Sequence, residues 1–446
     1  DEPMDFSLSL SKYDLKDSRI YYTDASSGIS LKLDEFNHIG TGDFSLAQSE
    51  LDTRTKTKAS FAMGGTEYLS NHILSLDALI GMDLDEMKFS FLENEAKVNE
   101  LPLTFEGFVQ LFDDYNEVDI QFQTPSSDFK NFLAVIPKEY LQHLDGVNTT
   151  GNFEVKGDIS GKVDDTYIPK MNIQIKSANA SFSYPDLPKS MQDIYIDVAL
   201  KNNTGLMKDM LLNIGDLKFR IENNPFAVRG SVANFMENAL VDLDMKGRLN
   251  LGELKEVMPL EADLNLEGIF DADLKMKFDM LSVEREQYDR IDSRGKASLS
   301  DFIYKGDAFK NDFNIATAEI DFNPSSIKLL AFDAQTGQTD IKATGNIDNL
   351  IQFVMKGQEL KGQFEVLANR FVLSDFMSDE EENSSSNTNQ ETSSEMKIPA
   401  FLNAVLNFDA KEVHYDNLIL KNLKGRAGIA DETASIQHMQ SDLLGG

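Results

Sequence analysis

The chain has 446 residues, and its 42 Lys and Arg against 75 Asp and Glu leave a formal charge of −33. A surface this acidic repels phosphate, which argues against nucleic acid as a partner. The absence of cysteine excludes disulfides, thiolate metal sites and a cysteine nucleophile, while 41% apolar residues suffice for a sizeable core.

Alternation of apolar and polar residues is the dominant pattern. Period two places apolar side chains on one face of a strand and polar ones on the other, so the pattern predicts an antiparallel sheet with one wet face. In chain order the alternating apolar positions are Phe6/Leu8/Leu10, Ile29/Leu31/Leu33, Met87/Phe89/Phe91, Val118/Ile120/Phe122, Ile173/Ile175, Ile194/Ile196/Val198/Leu200, Leu217/Phe219/Ile221, Val241/Leu243/Met245/Leu249/Leu251, Leu264/Leu266, Leu274/Met276/Phe278/Met280, Ile320/Phe322 and Leu406/Phe408.

Helical patterns are few and short. Residues 128–144 and 252–258 each combine an acidic residue near the start with an apolar stripe, and each predicts two or three helical turns. The predicted fold is therefore mostly β, with helix as a minor component.

A repeat becomes visible once the strands are marked. Gly107, Gly230 and Gly345 each lie between two short strand patterns, and each is followed by another strand and an acidic amphipathic segment. The repeat predicts strand modules over 1–150, 151–260 and 261–378 and the start of a fourth over 398–446. Because one module cannot bury its apolar face alone, we expect the modules to stack, and one continuous sheet and three separate domains remain alternatives.

An acidic segment separates the third and fourth modules. Residues 379–395 contain no apolar side chain, so ordering them would gain no burial. We expect 379–397 to be a disordered surface loop.

Catalytic and metal-binding patterns are not evident. The five histidines are widely scattered, which predicts no metal site. Asp242, Asp244, Gly247 and Glu253 follow the spacing of an EF-hand loop, but Lys246 stands where an oxygen ligand is required, which defeats a calcium site. We predict no catalytic residue, no metal and no cofactor, and therefore no enzyme.

The apolar face of the sheet is the remaining candidate site. Helical sequence is too scarce to cover it, so the sheet either folds back as a sandwich or barrel or curls into a trough that accepts something apolar, and the pattern leaves these alternatives open. The candidate lining residues are Ile173, Ile175, Ile194, Ile196, Val198, Val241, Leu243, Met245, Leu249, Leu251, Leu264, Leu266, Leu274, Met276 and Phe278.

Two consecutive segments carry a resemblance to a known family. Residues 224–235 contain a strand with Pro and Gly, and 239–254 continue through Leu-Asp-Met-Lys-Gly-Arg-Leu-Asn-Leu into a short helical stretch. This order resembles the repeated segment of the AsmA-like family of bacterial envelope proteins, and 339–376 and, more weakly, 101–132 repeat it. The resemblance implies a long curved sheet that forms a U-shaped hydrophobic groove.

The resemblance also implies a function. It implies a periplasmic protein, anchored to the inner membrane by a segment outside this chain, that takes part in phospholipid transport to the outer membrane and in outer-membrane biogenesis. The expected partner is a phospholipid or another acyl-chain lipid, together with envelope proteins. The alternative is a structural or assembly module whose closed β-domains bind protein partners.

Overall fold

The computed structural model is mostly β. It describes residues 11–24, 28–43, 46–63, 66–125, 127–130, 147–235, 237–257, 267–285, 287, 290–304, 311–323, 326–376, 398 and 400–442. The strands form one long, open, mostly antiparallel sheet of 23 strands, and the described residues include three short α-helices. This confirms the predicted class and the minor share of helix.

The chain divides into two compact units. The first, called unit 1, comprises Asp1–Glu222 with Val228–Leu240, and the second, unit 2, comprises Asn223–Ala227 with Val241–Gly446. The predicted module boundaries at 150, 260 and 378 stay a prediction.

The described residues of unit 1 form twelve strands and part of a thirteenth. In chain order they are β1 (Lys12–Asp24), β2 (Ile29–Thr41), β3 (Gln48–Met63), β4 (Thr66–Asp83), β5 (Lys88–Val98), β6 (Leu101–Leu111), β7 (Asn116–Gln123), β8 (Ser127–Asp128), β9 (Asn148–Val163), β10 (Lys170–Ser183), β11 (Ser190–Asn202), β12 (Leu211–Ile221) and β13 (Asn224–Ala233), which the unit boundary divides. From β1 to β7 each strand pairs with the next, β7 and β8 pair with β9, and pairing then runs in order to β12, always antiparallel.

The described residues of unit 2 include the start of β13 and the last ten strands. These are β14 (Leu240–Asn250), β15 (Glu267–Asp279), β16 (Asp292–Tyr304), β17 (Phe313–Asn323), β18 (Ser326–Thr336), β19 (Thr339–Ile347), β20 (Leu360–Val372), β21 (Leu402–Tyr415), β22 (Leu418–Ala430) and β23 (Thr433–Asp442). From β15 onward neighbours pair antiparallel, with β20 and β21 as a parallel exception. The ladder therefore continues directly across the junction where the acidic segment was predicted.

The three α-helices found in the described residues lie in unit 2, between strands. They are α1 (Leu251–Val257), α2 (Met280–Glu284) and α3 (Leu350–Lys356). The predicted helix at 252–258 is confirmed by α1, whereas α2 and α3 were not predicted. The predicted strand positions Leu251 and Met280 were wrong, because a helix cap ends each strand one residue earlier. The Asn250 side chain accepts a hydrogen bond from Gly252 N, so Leu251 is the first residue of α1. The Asp279 side chain accepts one from Ser282 N, so Met280 is the first residue of α2.

Other predicted elements are shifted or fall outside the description. Met87 belongs to the turn before β5, with φ of 48°, and not to a strand. The predicted strand at Phe6/Leu8/Leu10, the pair Leu264/Leu266, most of the predicted helix at 128–144 and the acidic segment 379–397 lie outside the described residues.

Complementary charges align β14 with β15. On β14 the acidic residues Asp242 and Asp244 precede Lys246 and Arg248, and on β15 two aspartates precede two lysines, so antiparallel pairing matches opposite signs. The contacts are Lys277–Asp242 at 3.2 Å, Lys275–Asp244 at 3.3 Å, Lys246–Asp273 at 2.5 Å and Arg248–Asp271 at 2.8 Å. Exposed pairs of this kind stabilise weakly, but a slip in register would bring like charges together.

Phenylalanine and glycine recur as partners on neighbouring strands. The pairs are Phe91–Gly107, Phe122–Gly157, Phe322–Gly295, Phe364–Gly345 and Phe408–Gly425. At Gly157, Gly345 and Gly425 a Cβ would lie less than 3 Å from the partner ring, because the ring lies across the glycine. A glycine that would otherwise weaken a strand is thus covered by the facing ring.

Candidate functional site

The strand register brings apolar residues into continuous rows in unit 2. A row here means residues that face one another on successive strands, so it runs perpendicular to the strands. The first row is Ala272, Ala297, Ile320, Leu329, Gly345, Phe364, Leu406, Ala427 and Ile436, and the second is Leu274, Gly295, Phe322, Ile327, Ile347, Gly362, Ala404, Ile429 and Ala434. Both cross all nine strands from β15 to β23.

A third row lies beside the first. It contains Phe270, Leu299, Ala318, Phe332, Ala343, Val366, Phe408 and Gly425 and reaches β22. The three rows contain only apolar residues and glycine, and we call the side of the sheet that carries such rows the apolar face.

The opposite face has a different character at the same strands. The row between the first and second apolar rows along each strand reads Asp273, Lys296, Asp321, Lys328, Asn346 and Gln363. Lys296 also pairs with Glu319 at 2.7 Å. The acidic composition is therefore carried by a wet face of ion pairs and amides, as the alternation predicts.

The apolar face is only partly covered. Phe322 and Phe364 are buried, with 6% and 9% of their surface exposed, but Leu329, Val366 and Leu406 in the same rows are half-buried. Each hydrophobic cluster that contains these residues joins neighbouring strands of the ladder and α3. Part of this apolar surface thus remains in contact with solvent.

Unit 1 carries rows of the same kind. One row joins Val155, Ile175, Val198 and Ile214, and another joins Phe105, Phe122, Gly157, Ile173, Leu200 and Leu212. A third crosses from β3 to β10 through Leu51, Ile80, Phe91, Gly107, Ile120, Ile159 and Met171.

The five candidates predicted in unit 1 belong to one cluster. Ile194 and Ile196 are buried at its centre, and Ile173, Ile175 and Val198 are half-buried against them. The cluster is deepest at Phe153, which is fully buried beside Phe129. These predicted residues therefore share one apolar surface.

The candidates in unit 2 are divided between two clusters. Met245 and Leu274 belong to the cluster under the apolar rows, whereas Val241, Met276 and Phe278 pack with α2 and α3. Leu243 and Leu249 are half-buried on β14, Leu251 lies in α1, and Leu264 and Leu266 lie outside the described residues.

Helices α2 and α3 are tied together over the second of these clusters. The Gln352 side chain is 1% exposed and donates to the carbonyl of Val283, and Lys356 pairs with Glu284 at 2.8 Å. Beside α3 a cavity of 290 Å³ lies next to the middle of the second row, and its apolar lining includes Ile327, Ile347, Leu350 and Ile351. The apolar face is thus bordered by a small recess at this end of the strands.

A larger cavity on the wet face of unit 1 has a different lining. Its volume is 680 Å³, and it is lined mostly by polar side chains of β6, β7, β9 and β10, among them Glu106, Asp119, Lys156 and Asp158. Such a lining does not suit a hydrocarbon. The described residues include no group of three or more His, Asp or Glu arranged to hold a metal ion, and Asp242 and Asp244 are engaged by lysines of β15.

A hydrogen-bonded polar cluster lies on the apolar face of unit 1. Tyr13, His38 and Thr55 lie on β1, β2 and β3, where the Tyr13 hydroxyl is 2.5 Å from His38 Nε2 and Thr55 Oγ1 is 2.8 Å from His38 Nδ1. Burial lowers the pKa of His38 and raises the pKa of Tyr13. Both groups are therefore held in their neutral forms.

The pattern of single strands misses the residues that complete the rows. Leu329, Val366 and Phe364 were not candidates, although they lie in the middle of the rows in unit 2. These residues can be recognised only from the strand register, because a row is defined by pairing across strands. The phenylalanine–glycine pairs on neighbouring strands are the sequence signal that would have indicated this register.

Comparison with known proteins adds no relative. No protein-family model, no curated protein and no solved structure matches this chain. Within the described ranges, no helix has the length and apolar character needed to cross a membrane. The case for a function therefore rests on the geometry of the apolar face.

Proposed function

We propose that this chain is a non-enzymatic segment that binds or conducts the acyl chains of phospholipids along its apolar face. The proposal includes curvature of that face into a U-shaped groove, and a periplasmic location in an AsmA-like protein that is anchored to the inner membrane and carries lipid to the outer membrane. The observation that carries it is the set of uninterrupted apolar rows in unit 2, in which Leu329, Val366 and Leu406 remain half-buried.

The dimensions of the rows suit hydrocarbon. Strands lie about 4.8 Å apart, so a row of nine strands extends over roughly 38 Å. One leaflet of a bilayer has a hydrocarbon depth of about 15 Å, half of the whole core. A row is therefore long enough for more than one acyl chain.

The expected energetics favour movement along the row. A fully buried CH₂ contributes about 0.8 kcal/mol, so a chain covered on one side gains roughly half of that for each CH₂. The gain is spread over many similar residues, so a chain that shifts by one strand loses and regains nearly the same contacts. Lipid headgroups would remain in water at the open side.

The test compares two neighbouring leucines on β18. Leu329 lies in the first apolar row, whereas Leu330 is 39% exposed and belongs to a β-bulge outside the rows. Purified protein is examined by native mass spectrometry for bound phospholipid and then titrated with a fluorescent phospholipid.

We expect co-purified lipid in the wild type. Leu329→Glu should lower the amount of bound lipid severalfold, because a carboxylate would have to be desolvated by the acyl chain, and Leu330→Glu should leave binding unchanged. Circular dichroism checks that both variants fold. Absence of lipid binding in the wild type, or equal effects of the two variants, would contradict the proposal.

A second candidate function rests on the edge of β23. Among the described residues this strand pairs on one side only, carries a single charged residue, Asp442, and exposes Ile436 and Met439 by more than half. β1, in contrast, carries several charges and a residue with positive φ at Asp17. An uncharged edge favours pairing with another strand, as in an assembly module. Met439→Lys should then abolish self-association in sedimentation experiments, and a monomeric wild type would contradict this function.

A further inference from the structure

In unit 1 the apolar face carries a group of hydroxyl side chains on β3. Thr53, Thr55 and Thr57 occupy alternate positions on the same side as Leu51 and Ala59. The three long rows of unit 2 contain no hydroxyl at any position. Hydroxyl groups on an apolar face are costly unless they form hydrogen bonds, so their partners decide their role.

Two of the three hydroxyls serve the backbone. Thr53 Oγ1 donates to the carbonyl of Ala78 at 3.0 Å, and Thr57 Oγ1 donates to the carbonyl of Asp34 at 2.8 Å. Thr55 differs, because the only hydrogen-bond partner of its hydroxyl among the described residues is the ring of His38.

The three hydrogen-bonded side chains of Tyr13, His38 and Thr55 carry one more donor proton than there are hydrogen bonds between them. A neutral imidazole has one N–H, so with two hydroxyls the three groups hold three protons, while two contacts join them. When the Tyr13 hydroxyl donates to His38 Nε2 and His38 Nδ1–H donates to Thr55 Oγ1, the Thr55 hydroxyl proton is directed away from His38 and is left to donate to another group. Burial, which lowers the pKa of His38, favours this single-proton state.

The surroundings suit a neutral acceptor. The charged residues nearest along β3, Arg54 and Lys56, alternate with Thr55 and are exposed on the opposite face. A phosphate would require a cation, whereas a carbonyl oxygen requires only a donor.

The row through Thr55 continues as an apolar one. Thr55 faces Leu76 on β4, followed by Ala96 on β5 and Leu103 on β6. Three strand steps cover about 14 Å, close to the depth of one leaflet. An acyl chain whose carbonyl end lies at Thr55 can therefore lie along this row over its whole length.

We propose that Thr55, positioned by His38 and Tyr13, donates a hydrogen bond to the ester carbonyl of a glycerolipid whose acyl chain lies along Leu76, Ala96 and Leu103. The inference rests on the proposed function, since it needs an acyl chain on the apolar face. It adds a chemical preference, for ester-linked over ether-linked lipid, to a surface that otherwise selects only for hydrocarbon.

The experiment compares two phospholipids with the same headgroup and chain length, one diester and one diether. Their affinities for the full chain are measured by competition against a fluorescent lipid. The wild type should prefer the diester by about three- to tenfold, the range of one hydrogen bond. Thr55→Val should remove this preference by weakening diester binding alone, and Thr55→Ser should retain it. Thr344→Val, at an exposed position on β19, is the matched control and should behave as the wild type.

Each other outcome overturns the inference. Equal affinity of the wild type for the two lipids, or an ester preference that survives Thr55→Val, refutes the carbonyl site while acyl-chain binding stands. Failure of both lipids to bind refutes the proposed function, and the carbonyl site with it.

Discussion

Substitution of Gly157 by alanine tests whether the rings that lie across glycines determine the packing of the apolar face. Gly157 on β9 lies between Phe122 on β7 and Ile173 on β10. A Cβ at this position would lie 2.8 Å from Phe122 Cζ and 3.1 Å from Ile173 Cγ1. The φ of Gly157 is not in the left-handed region, so only the neighbouring side chains oppose alanine.

Whether Gly157→Ala lowers or raises the free energy of unfolding should depend on Phe122. With the ring present, the extra methyl overpacks the surface, and we expect Gly157→Ala to lower the free energy of unfolding by about 1–3 kcal/mol. With Phe122→Ala in the background, only the 3.1 Å approach to Ile173 Cγ1 still opposes alanine; a shift of a few tenths of an ångström in that side chain relieves it, and alanine should then stabilise by about 0.5–1 kcal/mol relative to glycine. The expected coupling in the double-mutant cycle is therefore about 1.5–4 kcal/mol.

The assay is urea unfolding of the wild type and three variants, followed by circular dichroism because the chain has no tryptophan. Gly161→Ala on the same strand is the control: its φ is +109° and no atom lies within 4 Å of its Cβ, so its backbone strain should not depend on Phe122. Equal destabilisation by Gly157→Ala with and without Phe122 would refute the reasoning.

Three further predictions concern polar contacts. Asp271→Arg should lower the urea midpoint of unfolding slightly, and adding Arg248→Asp should restore most of it, because the exposed pair is reversed and not lost. Failure of the double variant to recover would contradict a role of this pair in setting the register. Asp375 accepts hydrogen bonds from Gln338 N and the Thr339 hydroxyl, both at 2.8 Å, so Asp375→Leu should destabilise by about 1–3 kcal/mol, and a neutral result in the same assay would refute the contact. The pKa of Asp164 is lowered to about 2 by its hydrogen bond to Lys162 and by backbone N–H groups of the turn. Its stabilisation of that turn should be complete above pH 4 and lost as the pH falls through about 2, and an NMR titration midpoint near 4 would contradict this.

The periodic residues predicted the strands because each strand has one wet face. Ile173, Ile175 and Val198 lie where the alternation places them, since polar neighbours on both sides leave only one face for burial. The pattern failed where an apolar residue continues the period beyond the end of a strand. Leu251 and Met280 are examples, because the caps at Asn250 and Asp279 start helices that the alternation does not register.

Helix α3 could have been predicted from its ends. Asn349 precedes the apolar stretch, and Gly357 ends it in the left-handed conformation with φ of 63°. The rows could not be predicted in this way, since the pairing of Leu329 with Gly345 depends on a bulge at Leu330 that alternation alone does not reveal. Register is a property of two strands, and no single segment contains it.

The rings that lie across glycines also affect how easily a bound acyl chain could move over the apolar face. Where Phe364 covers Gly345, a large side chain fills the space above the smallest one, so neither a knob nor a hole is left at that step. In the proposed function, an acyl chain on this surface would meet nearly the same height and the same contacts at each strand, so its dwell time at any one strand should be short. The same levelling that stabilises a glycine-containing sheet would therefore favour throughput over retention.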